Sequence, residues 1–188
     1  MSSAPPPSTI FVLNTGRCGS TTLARACAHL TTHTASHESR SHLTGPERLA
    51  FPARHIEIDN RLAWFLGRLD ADWGDRAAYV HLTRAPDAVA ESFVQRPNPG
   101  ILDAYHRGIL LGAPWKSPGL SRREIAEDYI ATVTANIRHF LKDKSHVMHL
   151  RLETLAEDFP RFVRWIGAEG DLDAALSELA QRHNATEA

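Results

Sequence analysis

The chain has 188 residues, 43% of them hydrophobic and 23% charged, with a formal net charge of -1. That length suits one domain with a full core and is too short for two comfortable ones. The near-neutral balance gives no global attraction to nucleic acid or to an anionic membrane. No apolar run approaches the ~20 residues of a membrane-spanning helix. Residues 1–8 hold three consecutive prolines, Pro5, Pro6 and Pro7. They are neither basic nor apolar enough for a signal peptide and read as a loose tail, leaving residues 9–188 as a single domain. Cys18 and Cys27 fall in or beside one helix, which would separate them by ~13 Å. That is beyond disulfide reach, so a reduced, cytoplasmic setting is expected.

The predicted elements alternate between strand and helix. Thr9-Ile10-Phe11-Val12-Leu13 is a short apolar run of the kind that forms a buried strand. Leu23 to Leu30 reads as the helix after it. His33-Thr34-Ala35-Ser36-His37-Glu38 is a second strand or extended run, followed by a polar loop from Ser39 to Gly45. His55-Ile56-Glu57-Ile58-Asp59 alternates as a short strand does. Leu62, Phe65, Leu66 and Leu69 fall at helical spacing with one apolar face. Tyr79-Val80-His81-Leu82-Thr83 is the next strand, and Pro86 opens a helix running to about Arg96. Residues 97–120 are rich in Pro and Gly, long for a connection, and read as a lid or binding loop. Ser121 and Glu124 form a capping box for a long helix with Ile125, Tyr129, Val133, Ile137 and Phe140 on one stripe. His146 to Leu150 is the last strand. Pro160, Phe162, Val163 and Ile166 mark a helix ended by Gly167, and Leu172, Leu176 and Leu179 a terminal one. This order predicts an α/β fold, three-layer α/β/α with a central, mainly parallel four- or five-stranded sheet.

Chemistry concentrates in Thr15-Gly16-Arg17-Cys18-Gly19-Ser20-Thr21-Thr22, between the first strand and the first helix. The backbone N–H groups at a helix start lack partners within the helix and point into the preceding turn. Gly16 and Gly19 let backbone approach a ligand closely, while Arg17, Ser20, Thr21 and Thr22 add donors. The turn predicts a phosphate-like ligand. It is not a Walker A loop, because no Gly-Lys pair precedes the hydroxyl residues. A Mg²⁺-dependent phosphotransferase commonly places an acid at a core strand end. Here the Tyr79 strand ends in Thr83-Arg84, which recruits a second anion instead. Two anion positions at neighbouring strand ends suit a nucleotide phosphorylated at both its 5′ and 3′ positions.

At these residues the chain resembles the sulfotransferases. Thr15–Thr22 resembles their 5′-phosphosulfate loop. Val80-His81-Leu82-Thr83-Arg84-Ala85-Pro86, with Ser92 eight residues after Arg84, resembles their 3′-phosphate motif. Leu150-Arg151-Leu152-Glu153-Thr154-Leu155, followed by Asp158-Phe159-Pro160, is similar to their late Arg-Tyr-Glu-Asp-Leu and Asp-Pro run. The resemblance spans Thr9 to about Gly167. It implies a P-loop NTPase-like fold, the co-substrate 3′-phosphoadenosine 5′-phosphosulfate, and no metal. It implies sulfuryl transfer to a hydroxyl or amine of a small-molecule or glycan acceptor. Arg17 would grip the 5′-phosphosulfate, with Gly16, Cys18, Gly19, Ser20, Thr21 and Thr22 completing the cradle. Arg84 and Ser92 would hold the 3′-phosphate. The family places a catalytic base just after the second strand, where Glu38 is the first candidate and His37 the second; Glu57 and Asp59 come third. The chain is shorter than most members and lacks their late Arg-Lys-Gly element, which Arg96, Arg107 or Lys116 would have to replace. Two other readings stay open: a non-catalytic binder of the same nucleotide, and a small-molecule or nucleotide kinase.

Bland readings stand beside these. Glu38 could simply pair with Arg40. Cys18 reads as a small residue in the turn, with no catalytic role. His29, His33 and His37 recur every four residues, but Thr31, Thr32 and Thr34 argue for extended chain rather than a metal-binding helix face.

Overall fold

Strand β1, Thr9–Leu13, is buried along its whole length, as an unbroken apolar run between two parallel neighbours must be. The computed structural model describes residues 7–97, 100–112 and 119–181. Four more strands join β1: β2 Thr34–His37, β3 His55–Ile58, β4 Ala78–Thr83 and β5 Val147–Arg151. All pairings are parallel, and the order across the sheet is β2-β3-β1-β4-β5. The chain leaves β1 toward β2 and β3, then crosses to place β4 on the other side of β1. The strand order therefore reverses between β1 and β4. In open parallel sheets a ligand crevice forms outside the carboxyl ends at that point.

Helices flank the sheet. Helix α1, Ser20–Cys27, packs on α7, Leu172–Ala180, and helix α3, Pro86–Val94, packs on α5, Arg122–Leu141. The Ser121–Glu124 capping box is present at the start of α5. Helix α6, Leu155–Trp165, starts one turn earlier than its apolar spacing indicated and carries Pro160 inside. Its apolar side is fixed by buried Leu155, Phe159, Phe162 and Val163, which outweighs one lost backbone hydrogen bond.

Two expectations are corrected. The stretch from Leu62 to Leu69 is not one helix. It is a 3₁₀ turn, Asn60–Trp64, followed after Phe65 by α2, Leu66–Asp72. Asp59 causes the split: its side chain accepts Arg61 N–H at 2.7 Å and caps the tighter turn. The 97–120 region is not all connection. It holds α4, Gly100–Ala104, and a π-turn, Tyr105–Ile109, anchored by buried Leu102 and Tyr105. Residues 98–99 and 113–118, including Lys116, lie outside the described residues.

His81 in β4 is 2% exposed and faces His149 on β5. Burial first, then the charges of His149 and Arg138, pull its pKa from the ordinary 6.5 down to about 4. Between those values the unfolded chain binds the proton and the folded chain does not. Stability is therefore lost as pH falls from about 6.5 to about 4, by at most ~3 kcal/mol from this group. Urea unfolding at pH 7 and pH 4.5 is expected to show a smaller acid loss in His81→Gln than in wild type. Equal losses would contradict this.

Candidate functional site

The turn after β1 is built from backbone that few residues adopt. Gly16, Arg17 and Gly19 have φ of 80°, 58° and 81°, which curls the chain and turns successive N–H groups inward. Asn14 Oδ1 accepts Gly16 N–H at 2.8 Å and fixes the entry. Space is as restrictive as φ. A Cβ on Gly16 would lie 2.9 Å from Asn60 Nδ2, and one on Gly19 would run into Leu152 Cδ1. Gly19 is the N-cap of α1 and, having no side chain, gives the helix start no side-chain cap hydrogen bond. Gly19→Ala is expected to cost ~1–2 kcal/mol from backbone strain alone. Its thermal melt measures this, and a melt unchanged from wild type would contradict it.

Within the turn, Cys18 Sγ is buried against Thr15 Oγ1 and Gly16 O, each at 3.2 Å, and burial pushes the thiol pKa up. Cys18 therefore offers a ligand its N–H only. Ser20 and Thr21 are half-buried at the helix start, and Thr22 is buried.

The second predicted anion position meets the first. Arg84, just past β4, donates from Nη1 to Arg17 O at 3.2 Å. Arg17 donates from Nε to Ser92 Oγ at 2.8 Å, and Ser92 is buried on α3. Burial, then the charges of Arg96 and Arg84, hold the Arg17 guanidinium below its ordinary pKa. The late Leu150–Leu155 run supports both turns. Glu153 Oε1 accepts Ala85 N–H at 2.7 Å, Leu150 O accepts Thr83 Oγ1 at 3.2 Å, and Leu152 abuts Gly19. Three segments that are far apart in sequence thus converge at the β1–β4 crevice.

The candidate bases lie at the carboxyl end of β2. His37 Nε2 is 3.0 Å from Ser20 Oγ, so it touches the edge of the cradle. Glu38 has φ of 53° and is ion-paired with Arg61, not with Arg40. Arg40 donates instead to Glu47 O at 2.9 Å. Glu57 and Asp59 are both fully buried and already engaged. Glu57 accepts Ser39 N–H at 2.7 Å, Ser39 Oγ at 2.6 Å and faces His55 Nε2 at 3.0 Å. Asp59 pairs with Arg48 at 2.5 Å. Neither has an oxygen open to an acceptor, so the third-place candidates drop out.

Sequence reasoning missed Asn60, Arg61 and Tyr129. The Tyr129 hydroxyl donates to Thr15 O at 2.9 Å, and its ring meets Phe93, Tyr105 and Trp64 at 5.6, 5.4 and 6.5 Å. It joins the cradle to an aromatic wall. Asn60 and Arg61 follow β3 directly, and the strand-end rule applied to β3 would have found them. Tyr129 carries no sequence signal beyond its place on the α5 stripe.

Of the proposed replacements for the late basic element, Arg96 lies near Arg17, whereas Arg107 is exposed on the π-turn. His33 and His37 lie before and within β2, so His29, His33 and His37 share no helix. Among the described residues no group of three or more His, Cys, Asp or Glu is arranged to hold a metal ion. Among them, too, no helix is long and apolar enough to cross a membrane.

No protein-family model matches the chain, and no match is found among curated proteins. Solved structures do match. A sulfotransferase domain from the curacin biosynthetic pathway superposes with a TM-score of 0.66 at 16% identity, over 98% of this chain and 82% of that one. A sulfotransferase domain from the Synechococcus PCC 7002 olefin synthase gives 0.62 at 17% identity, over 94% and 79%. The fold is therefore that of sulfotransferase domains, with a five-stranded all-parallel sheet flanked by helices.

Proposed function

We propose that the protein binds 3′-phosphoadenosine 5′-phosphosulfate and transfers its sulfuryl group to a hydroxyl or amine of a small-molecule or glycan acceptor. The observation that carries this reading is the bonding of Arg17 to Ser92 at 2.8 Å and of Arg84 to Arg17 O at 3.2 Å. These bonds bring a glycine-bearing strand-to-helix turn and a strand-end arginine together in one crevice, which supports a ligand with two anionic groups.

The residues present fit that nucleotide. The positive-φ turn supplies N–H donors without a competing side-chain cap, and Arg17, Arg84 and Ser92 supply charge and a hydroxyl. The donor brings a sulfuryl group on a phosphate that leaves as an anion. Arg17 and the N–H groups of residues 16–22 would stabilise charge developing on that phosphate and on the transferred oxygens. Glu38 or His37 would take the proton of the acceptor as its oxygen or nitrogen bonds to sulfur and the sulfur–phosphate oxygen bond breaks. Glu38 does this once Arg61 releases it; His37 reaches the cradle through Ser20. No step calls for a metal. The two free, buried cysteines accord with a cytoplasmic setting.

The Arg61–Glu38 ion pair also supports a second reading, in which the protein binds the nucleotide without transfer. Incubation with the phosphosulfate donor and a panel of hydroxyl and amine acceptors, read by mass spectrometry, separates the two. Transfer predicts a sulfated product that is lost in the Glu38→Ala, His37→Ala double variant. Tight nucleotide binding with no product from any acceptor would favour the binder.

A further inference from the structure

Glu57 of β3 is fully buried and has no oxygen open to the crevice, yet it holds the chain beside the first candidate base. Its Oε1 accepts Ser39 N–H at 2.7 Å and its Oε2 accepts Ser39 Oγ–H at 2.6 Å. Both donors of Ser39 thus end on one buried side chain. Behind Glu57 stands His55, two residues earlier and on the same face of β3. His55 Nε2 lies 3.0 Å from Glu57 Oε2, and its Nδ1 lies 2.8 Å from Thr34 Oγ1 at the start of β2. Phe51 stacks on the His55 ring at 5.6 Å. Thr34, His55, Glu57 and Ser39 form one hydrogen-bonded relay, running from the first residue of β2 to the turn after its last.

What the relay fixes is Glu38. In an extended strand, successive residues face opposite ways. Here Glu38 N–H reaches Ile58 O at 3.1 Å and the next N–H, of Ser39, reaches Glu57, so two consecutive donors end on β3. The chain turns at Glu38 to do this, with a φ of 53°. A residue other than glycine stays in that region only where its surroundings hold it there. The turn places the side chain as well. Glu38 pairs with Arg61, which follows Asn60, and Asn60 abuts Gly16 of the cradle. The relay therefore sets where the Glu38 carboxylate stands relative to the cradle.

We infer that Glu57 is a positioning residue for the transfer, acting through Ser39 to hold Glu38 in the backbone conformation from which it takes the acceptor proton. This rests on the proposed transfer reaction with Glu38 as its base. The alternative role for Glu57 is structural: it satisfies His55 and Ser39, affects stability, and has no coupling to Glu38.

Glu57→Ala would strand His55 in the core, so the test uses Ser39→Ala, Ser39→Thr and Glu57→Gln, with Glu38→Ala and the Glu38→Ala, Ser39→Ala double variant. Ser39 is exposed, so its substitution leaves the fold intact. Transfer from the phosphosulfate donor is timed at saturating donor, on whichever acceptor of the hydroxyl and amine panel gives most product. Calorimetry with 3′,5′-adenosine diphosphate gives nucleotide affinity in parallel. Ser39→Ala and Glu57→Gln are each expected to slow transfer about 10-fold and to leave nucleotide affinity within about twofold. Ser39→Thr, which keeps the hydroxyl, should recover most of the rate. Glu38→Ala should slow transfer about 100-fold or more, and adding Ser39→Ala should cost less than about twofold further, because positioning acts only through Glu38. Suppose Glu38→Ala is slow. A wild-type rate in Ser39→Ala or Glu57→Gln, an undiminished Ser39 loss in the double variant, or a fall in nucleotide affinity as large as the fall in rate then overturns the role of Glu57, although the transfer reading survives. If wild type makes no product from any acceptor, or Glu38→Ala transfers as fast as wild type, the reading of Glu38 as the base fails and the role of Glu57 fails with it.

Discussion

Replacing Arg17 with alanine is expected to slow the proposed sulfuryl transfer by ~10³-fold, the loss typical of removing a preorganised charge from a developing anion. Arg17 combines three properties that no other residue of the crevice shares. Its backbone takes the left-handed φ of 58° that shapes the cradle. Its carbonyl receives Arg84 and its Nε holds Ser92, so it ties the two anion positions together. Its guanidinium is partly withdrawn from water beside two like charges, where any anion is bound more strongly than in bulk solvent. Arg17→Lys should lose less in rate than alanine but should not restore wild type, because an ammonium cannot hold Ser92 and a phosphate in one plane. Single-turnover rates at saturating donor measure this. An alanine variant within threefold of wild type would contradict the role given to Arg17.

Replacing Arg48 with alanine is expected to cost ~3–5 kcal/mol of stability, because it strands a buried carboxylate. Arg48 is 1% exposed and Asp59 is fully buried. Their 2.5 Å contact is backed by Phe65, over whose ring the Arg48 guanidinium lies at 5.0 Å. Burial already holds the Asp59 carboxyl above its ordinary pKa, with the Arg48 charge opposing that shift. Without Arg48 the burial of Asp59 is opposed only by the Arg61 N–H it accepts, and no charge compensates it. The damage should extend to the site, since Asp59 also caps the turn that presents Asn60 and Arg61. An Arg48→Met, Asp59→Asn double variant should lose less than the sum of its single variants, since each leaves the other partner unsatisfied. Urea denaturation decides it. A loss below ~1 kcal/mol in Arg48→Ala would show that the pair contributes little.

The parts of the site legible in the sequence are those whose chemistry is local. Gly16 and Gly19 signal the turn because φ near 80° is costly for most other residues. Arg84 and Ser92 are read from a strand end and the helix after it. A mainly parallel sheet of four or five strands follows from strand and helix alternation with crossover connections, while the order across it comes only from the structure. What stayed hidden depends on partners distant in sequence. Tyr129 reaches Thr15 across 114 residues, and nothing in the α5 stripe separates it from a core aromatic. Glu38 sits beside Arg40 in sequence but pairs with Arg61, because Glu57 pins Ser39 and turns the chain toward β3. The break between the 3₁₀ turn and α2 was masked by an apolar spacing that both pieces preserve, while the cap on Asp59 decided the geometry.

The central claim is that the crevice between β1 and β4 binds a nucleotide by both its 5′ and 3′ phosphates. Titration of the wild-type protein with 3′,5′-adenosine diphosphate, 5′-adenosine monophosphate, and adenosine triphosphate with Mg²⁺ tests it most directly. The bisphosphate is expected to bind at least ~30-fold more tightly than the monophosphate, from two or more charge-assisted bonds to the 3′-phosphate. Indifference to the 3′-phosphate, or a preference for the triphosphate that depends on Mg²⁺, would contradict it.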